Sequence, residues 1–192
     1  MQATIGVDEV GRGAWAGPLL VVAARRRKPL PTGLKDSKIL SKAKRNELSP
    51  LIAQSCDIGL AWVSNIEIDR IGLAAALRIA FLQAVNTLVP TSEDSILIDG
   101  TINYCENVYP RSKAQVKADR DNLIVSAASV YAKVLRDEHM RQQEDAFPGY
   151  GFAQNVGYGT QQHLNSLLLL GVSDLHRRSF KPVKALVRYG KR

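Results

Sequence analysis

Four carboxylates occupy positions that call for an explanation. Asp8 and Glu9 lie inside the apolar, β-branched run Ala3–Val10, Asp99 closes the run Ile96-Leu97-Ile98, and Asp119 ends the stretch Ala114–Ala118. Adjacent strand residues face opposite ways, so at most one of Asp8 and Glu9 faces a given core, where an unpaired carboxylate is costly. Each acid has an ordinary explanation when taken singly. One of Asp8 and Glu9 could be exposed and the other salt-bridged, Asp99-Gly100 could be a turn, and Asp119 could sit at a helix N-terminus, favoured by the helix dipole. All four at the ends or middle of strands are harder to dismiss, because ligands in open α/β sheets gather beyond the carboxyl ends of strands. Such a cluster repels itself unless cations neutralise it, and hard divalent cations with oxygen ligands do so. Two ions roughly 4 Å apart can clamp the attacking and leaving oxygens of a phosphodiester.

The rest of the chain has the opposite charge. Lys and Arg total 26 and Asp and Glu 18, so the net charge is 26 − 18 = +8. This surplus favours polyanion partners, nucleic acid before anionic membrane. The densest basic stretches are Arg25–Lys28 and Lys35–Arg45, with Arg177, Arg178, Lys181, Lys184, Arg188, Lys191 and Arg192 near the C-terminus. Singly they are solvated charge runs; together they could flank a duplex through its phosphates. An acidic pocket on a basic protein is the layout expected of a metal nuclease. No apolar run approaches the roughly 18 residues that span a bilayer. The N-terminus lacks a secretory pattern, and Cys56 and Cys105 make no disulfide framework or zinc motif. A reduced, cytoplasmic protein is expected.

The elements that must position the acids follow from periodicity. Strands are expected at Ala3–Val10, Leu19–Ala24, Asp57–Ser64, Ser95–Asp99 and Ala114–Ala118. A short helix is expected from Ser41 to about Ala53. The capping box Ser64-x-x-Glu67 should open one long helix to about Leu88, and a second long helix should run from about Asn122 to Asp145, with Asp121 as its N-cap. A glycine-rich loop spans Gly149–Gly159, Thr160 caps a helix through Leu170, and Gly171 closes it. The last twenty residues read as basic and poorly periodic. With 192 residues and no linker or repeat, a single domain over 1–192 with a short basic C-terminal segment is expected. Its class is α/β, a mixed five-stranded sheet with helices on both faces.

Several segments resemble one family. Asp8-Glu9-Val10-Gly11-Arg12-Gly13 with Ala16-Gly17-Pro18, Leu34-Lys35-Asp36-Ser37-Lys38, Ile98-Asp99-Gly100 and Lys117-Ala118-Asp119 are similar to motifs of ribonuclease HII. So are Ser126-Ala127-Ala128-Ser129-x-x-Ala132-Lys133-Val134-x-Arg136-Asp137, Gly157-Tyr158-Gly159-Thr160-x-x-His163 and His176-Arg177-x-Ser179-Phe180-x-Pro182-Val183. The resemblance covers nearly the whole chain, in order. It implies the ribonuclease H-like fold and makes Asp8, Glu9, Asp99 and Asp119 ligands of two Mg2+ or Mn2+ ions. It also implies that Gly11-Arg12-Gly13 reads ribose 2′-hydroxyls and the neighbouring backbone, that Tyr158 lies against the RNA–DNA junction, and that Lys38 is near substrate phosphates. Ala118 stands where the family usually has Gly. Asp121 is a nearby alternative to Asp119, but the spacing to Ser126–Ser129 favours Asp119. Arg12 in the glycine motif, and no domain before it, point away from ribonuclease HIII.

The implied activity is hydrolysis of RNA in RNA/DNA hybrids and incision beside ribonucleotides in duplex DNA, leaving 3′-hydroxyl and 5′-phosphate ends. A monomer is expected, and no Q-x-x-L-x-x-F-F-type segment for a sliding clamp is present. Two rivals are a silent hybrid-binding module and another nuclease of the wider fold, such as a Holliday-junction resolvase. Ser126, Ser129, Lys133 and Arg136 form one helical stripe. Its N-terminal part should support the acids, while Arg136 and Asp137 should be a surface pair. His163 and His176 read as structural, and Trp15 and Trp62 as core or near-core.

Overall fold

A computed structural model describes residues 3–34 and 40–189. Lys35–Ile39, and with them Lys38, lie outside the described residues. The chain divides into two compact units: Met1–Val10, Leu20–Trp62 and Leu77–Val134 form one, and Gly11–Leu19, Val63–Ala76 and Leu135–Arg192 the other.

The first unit is built on a five-stranded sheet of β1 (Thr4–Val10), β2 (Leu19–Arg26), β3 (Cys56–Val63), β4 (Ser95–Asp99) and β5 (Ser112–Gln115), in the order β3-β2-β1-β4-β5. β1 runs antiparallel to β2 and parallel to β4, which is parallel to β5. The expected mixed sheet is therefore present. The central strands carry near-continuous apolar runs, Leu20–Ala24 and Ile96–Ile98, all buried, as strands covered on both faces require. Gly6 admits the first turn of a long helix: a Cβ there would lie 2.6 Å from the backbone of Ile124 and Val125.

The helices are α1 (Lys42–Ser55), α2 (Asn65–Ile71), α3 (Leu73–Asn86), α4 (Ala118–Asp121), α5 (Leu123–Ala146), α6 (Phe152–Asn155), α7 (Gln161–Leu170) and α8 (Lys181–Tyr189). Ser41, Ser64 and Thr160 cap α1, α2 and α7 through their hydroxyls. The single helix expected from Ser64 to Leu88 is two, because Gly72 ends α2 with φ 84° and ψ 154°, outside the helical region. The N-cap of α5 is Asn122, whose Oδ1 accepts the Ile124 N–H at 3.0 Å. Asp121 instead accepts from Gln115 Nε2 at 3.1 Å. The C-terminal stretch read as poorly periodic contains α8, where Pro182 suits a first helical turn. Val183, Leu186 and Val187 repeat at i, i+3, i+4, with Val183 fully buried. Trp62 is 40% exposed on β3, contrary to the core assignment; strand alternation turns it away from buried Ala61 and Val63.

The second unit has its own apolar centre of Ala16, Met140, Tyr150, Phe152, Leu167 and Val183, with Trp15 packed against it.

Candidate active site

Parallel pairing sets the acids level. Val7 of β1 pairs with Ile98 of β4, so the next residues, Asp8 and Asp99, emerge at the same carboxyl ends. Asp99 Oδ1 accepts the Ala118 N–H at 2.8 Å, which fixes the start of α4 and presents Asp119. The bend into α4 is made at Lys117, at φ 62°, so Ala118 tolerates a side chain. Ligand oxygens of Asp8, Asp99 and Asp119 all lie within 4.8 Å of one another. Asp8 is 5% and Asp119 1% exposed. Glu9 is half-buried and is not among the three whose oxygens converge within 4.8 Å. Its N–H donates to Asp8 Oδ1 at 2.8 Å.

Burial pushes the Asp8 carboxyl up to about 7; the Lys133 ammonium and a Ser129 hydrogen bond hold it lower than burial alone would, and Glu9 and Asp99 add to the rise. Lys133 Nζ donates to Ser129 Oγ at 2.5 Å and lies 3.8 Å from Asp8 Oδ2. The N-terminal part of the α5 stripe thus supports Asp8. Converging, mostly buried hard oxygen donors with one ammonium nearby are a donor set that fits a hard divalent cation.

In the second unit, Gly11 (φ 84°) is buried, while Arg12 and Gly13 are exposed. The Gly11 N–H donates to the Tyr158 hydroxyl at 3.0 Å. The glycines beside Tyr158 have packing reasons. A Cβ on Gly157 would lie 2.3 Å from the Ala16 carbonyl oxygen, and one on Gly159 2.1 Å from the Trp15 ring.

Three features escaped the sequence reading. Arg136 is fully buried, not part of a surface pair, and donates to carbonyl oxygens of Ala16, Pro18 and Val156. Arg177, assigned above to the phosphate-flanking stretch, is also fully buried and donates to the carbonyls of Gly17 and Arg12. His163 and His176, expected to be structural, are buried and bonded to each other, Nε2 to Nε2 at 3.0 Å. The Tyr158 carbonyl lies 2.9 Å from His163 Nδ1 and can only accept, so that nitrogen carries the proton. His176 Nε2–H then donates to His163, and its Nδ1 accepts the Ser173 N–H at 3.1 Å. Both rings are satisfied only when neutral. The available signals were the stripe position of Arg136 and the motif segments that hold His163, His176 and Arg177.

The family model for ribonuclease HII matches residues 5–183. A ribonuclease HII of Cereibacter sphaeroides is 44% identical over 180 residues, covering 93% of this chain and 84% of that protein. Archaeoglobus fulgidus RNase HII, solved in a complex with PCNA, superposes with a TM-score of 0.80 at 25% identity, over 93% of this chain and 95% of the other. Ribonuclease H2 of Pyrococcus horikoshii matches in fold, with a TM-score of 0.80 at 24% identity over the full length of both. Sequence, fold and the converging carboxylates agree: the chain belongs to the ribonuclease HII family, metal-dependent hydrolases that cut phosphodiester bonds.

Proposed function

We propose that this enzyme cuts the RNA strand of RNA/DNA hybrids and also incises beside ribonucleotides embedded in duplex DNA, by two-ion hydrolysis that leaves 3′-hydroxyl and 5′-phosphate ends. The observation that carries the reading is the convergence of Asp8, Asp99 and Asp119 within 4.8 Å in a chain of net charge +8.

These three with Glu9 are the ligands of Mg2+ or Mn2+ in this reading. Divalent ions supply activation of water and neutralisation of phosphate charge when bound. The chain's own groups prepare the site. Lys133 and Ser129 draw Asp8 toward its ionised form, the form that can coordinate. Asp99 anchors α4 through Ala118 and so sets where Asp119 points. Gly11-Arg12-Gly13 reads the ribose, since only a group reading the 2′-hydroxyl tells RNA from DNA at one position. Tyr158, held to Gly11, bears on the junction, and Lys38 on the phosphates. Both cysteines are free and buried, which suits a reducing cytoplasm, and no described helix is long and apolar enough to cross a membrane. We take the enzyme to act as a monomer.

The test is cleavage of a duplex carrying one ribonucleotide, with magnesium, beside an all-DNA duplex and a long hybrid. Cuts at the ribonucleotide and in the hybrid, none in DNA, and ligatable 3′-hydroxyl ends are expected. Binding without cleavage would favour a silent module; cutting of all-DNA substrates would favour a resolvase-like nuclease.

A further inference from the structure

Arg136 and Arg177 are both 0% exposed, and among the described residues the acidic charges of Asp137 and Asp69 act on them only as minor causes beside burial. Desolvating a guanidinium without a counter-anion is unfavourable, and apolar residues often fill such space with better stability. Apart from Arg136 Nη1, which donates to the Val156 carbonyl at 2.8 Å, their bonded donors go to one loop. Arg136 Nε donates to Pro18 O at 2.9 Å and Nη2 to Ala16 O at 3.2 Å; Arg177 Nε donates to Gly17 O at 2.9 Å and Nη1 to Arg12 O at 3.1 Å. Four carbonyls between Arg12 and Pro18 are thereby drawn onto two cations. Arg136 also touches both ends of the Gly11–Tyr158 contact: a Cβ on Gly11 would lie 2.2 Å from its Nε, and its guanidinium carbon is 5.4 Å from the Tyr158 ring centroid. Arg177 Nη2 is buried without a hydrogen-bond partner. Burial lowers the pKa of both groups, Arg177 to about 9 with the Arg136 charge as the second cause. Two cations in a low-dielectric interior attract anions more strongly than the same charges in water would.

The geometry points to Arg136 and Arg177 as positioning residues: they lock the Gly11–Pro18 loop by its carbonyls and bias its outer face toward a phosphodiester of the RNA strand. This rests on the reading of Gly11-Arg12-Gly13 and Tyr158 given above. A guanidinium holds two carbonyls in a fixed fork, whereas an ammonium keeps the charge and loses the fork. Lysine variants therefore separate geometry from charge.

The experiment measures kcat and KM on a duplex with one ribonucleotide for the parent, Arg177→Lys, Tyr158→Phe and the double variant. Melting curves and a calorimetric magnesium titration without substrate accompany each. Arg177→Lys should lose about 10- to 100-fold in kcat/KM, as a small misplacement of a substrate-contacting segment does, with magnesium affinity unchanged. Because both residues act on one loop, the two losses should not multiply in the double variant. Losses that multiply would make Arg177 a general stability element and overturn the proposal, as would parental kcat/KM in Arg177→Lys. Arg136→Lys serves as the second variant, and loss of cooperative melting in both lysine variants would likewise overturn it. A Tyr158→Phe variant at the parental rate would sink the reading of the loop, and the proposal with it; an impaired Tyr158→Phe beside a parental Arg177→Lys would sink the proposal alone.

Discussion

Asp8→Asn should stabilise the metal-free protein while ending catalysis. The Asp8 carboxyl is 5% exposed and moves from 3.8 to about 7 on folding, chiefly through burial. The folded state therefore holds a proton that the unfolded chain has released between those values. Stability falls as pH rises through that window and levels off above about 7. At 1.36 kcal/mol per pH unit, the full difference is about 4 kcal/mol above pH 7, and it vanishes below about 4. Asparagine keeps the shape and carries no charge, so it removes this slope. For a chain of this size, 4 kcal/mol raises Tm by roughly 8–16 °C. The assay is thermal melting of the parent and Asp8→Asn in chelator from pH 4 to 8, where the curves should converge at acid pH and diverge upward. Added magnesium should raise the Tm of the parent at pH 8 far more than that of the variant. Parallel curves across the window would refute the argument that Asp8 is ionised at a loss in the empty cluster.

Further outcomes follow from the same geometry. Asp99→Asn should abolish cleavage while hybrid binding persists and Tm holds or rises, since like-charge repulsion is relieved and an amide oxygen can still accept the Ala118 N–H; substantial magnesium-dependent activity would remove Asp99 from the ligand set. Tyr158→Ala should lose binding and cleavage of the single-ribonucleotide duplex, with about 1–3 kcal/mol from stacking at stake, and less on a long hybrid; parental activity with a lowered Tm would make Tyr158 a fold anchor only. Replacing Lys35, Lys42 and Lys44 by Ala should flatten the dependence of log affinity on log salt by roughly 0.9 per lost phosphate contact. Lys44 already pairs with Glu47 at 2.7 Å, so its share should be the smallest, and an unchanged slope would place these lysines on a bystander surface. The pKa of His176 is pushed down to about 4 by burial, helped by His163. The unfolded chain therefore binds protons that the fold excludes, and in the Asp8→Asn background stability should drop by about 2 kcal/mol between pH 6.5 and 5. A flat profile in calorimetric melting would mean that the pair is not held neutral.

The sheet was legible because its strands state their burial: unbroken Ile96-Leu97-Ile98 could only be interior, and Asp99 had to emerge at its end. Asp8 and Asp99 were legible for the same reason, as polar interruptions in apolar runs; Asp119 was not, because β5 is the polar Ser112–Gln115 rather than Ala114–Ala118 and Asp119 lies in α4, so only its spacing to Ser126–Ser129 singled it out. Gly72 was not, because Ile68, Ile71, Leu73 and Leu77 continue a helical repeat across it and only backbone dihedrals show the break. Arg136 and Arg177 were hidden because residue type argues for solvent, whereas all but one of their partners are carbonyls more than a hundred residues away in sequence. The neutrality of His163 and His176 depends on a network between residues distant along the chain, which spacing does not encode.

The interleaving of the two units constrains how the chain can be cut. The polypeptide passes between them five times, and each unit needs three separate segments. No continuous fragment contains either whole unit and nothing else, so neither can be expressed as a simple truncation. A cut anywhere in the segment Val63–Ala76 leaves Asp8 on one piece and Asp99 with Asp119 on the other. Neither piece can then assemble the acidic cluster, and recovered nuclease activity on mixing them would report non-covalent reassembly directly.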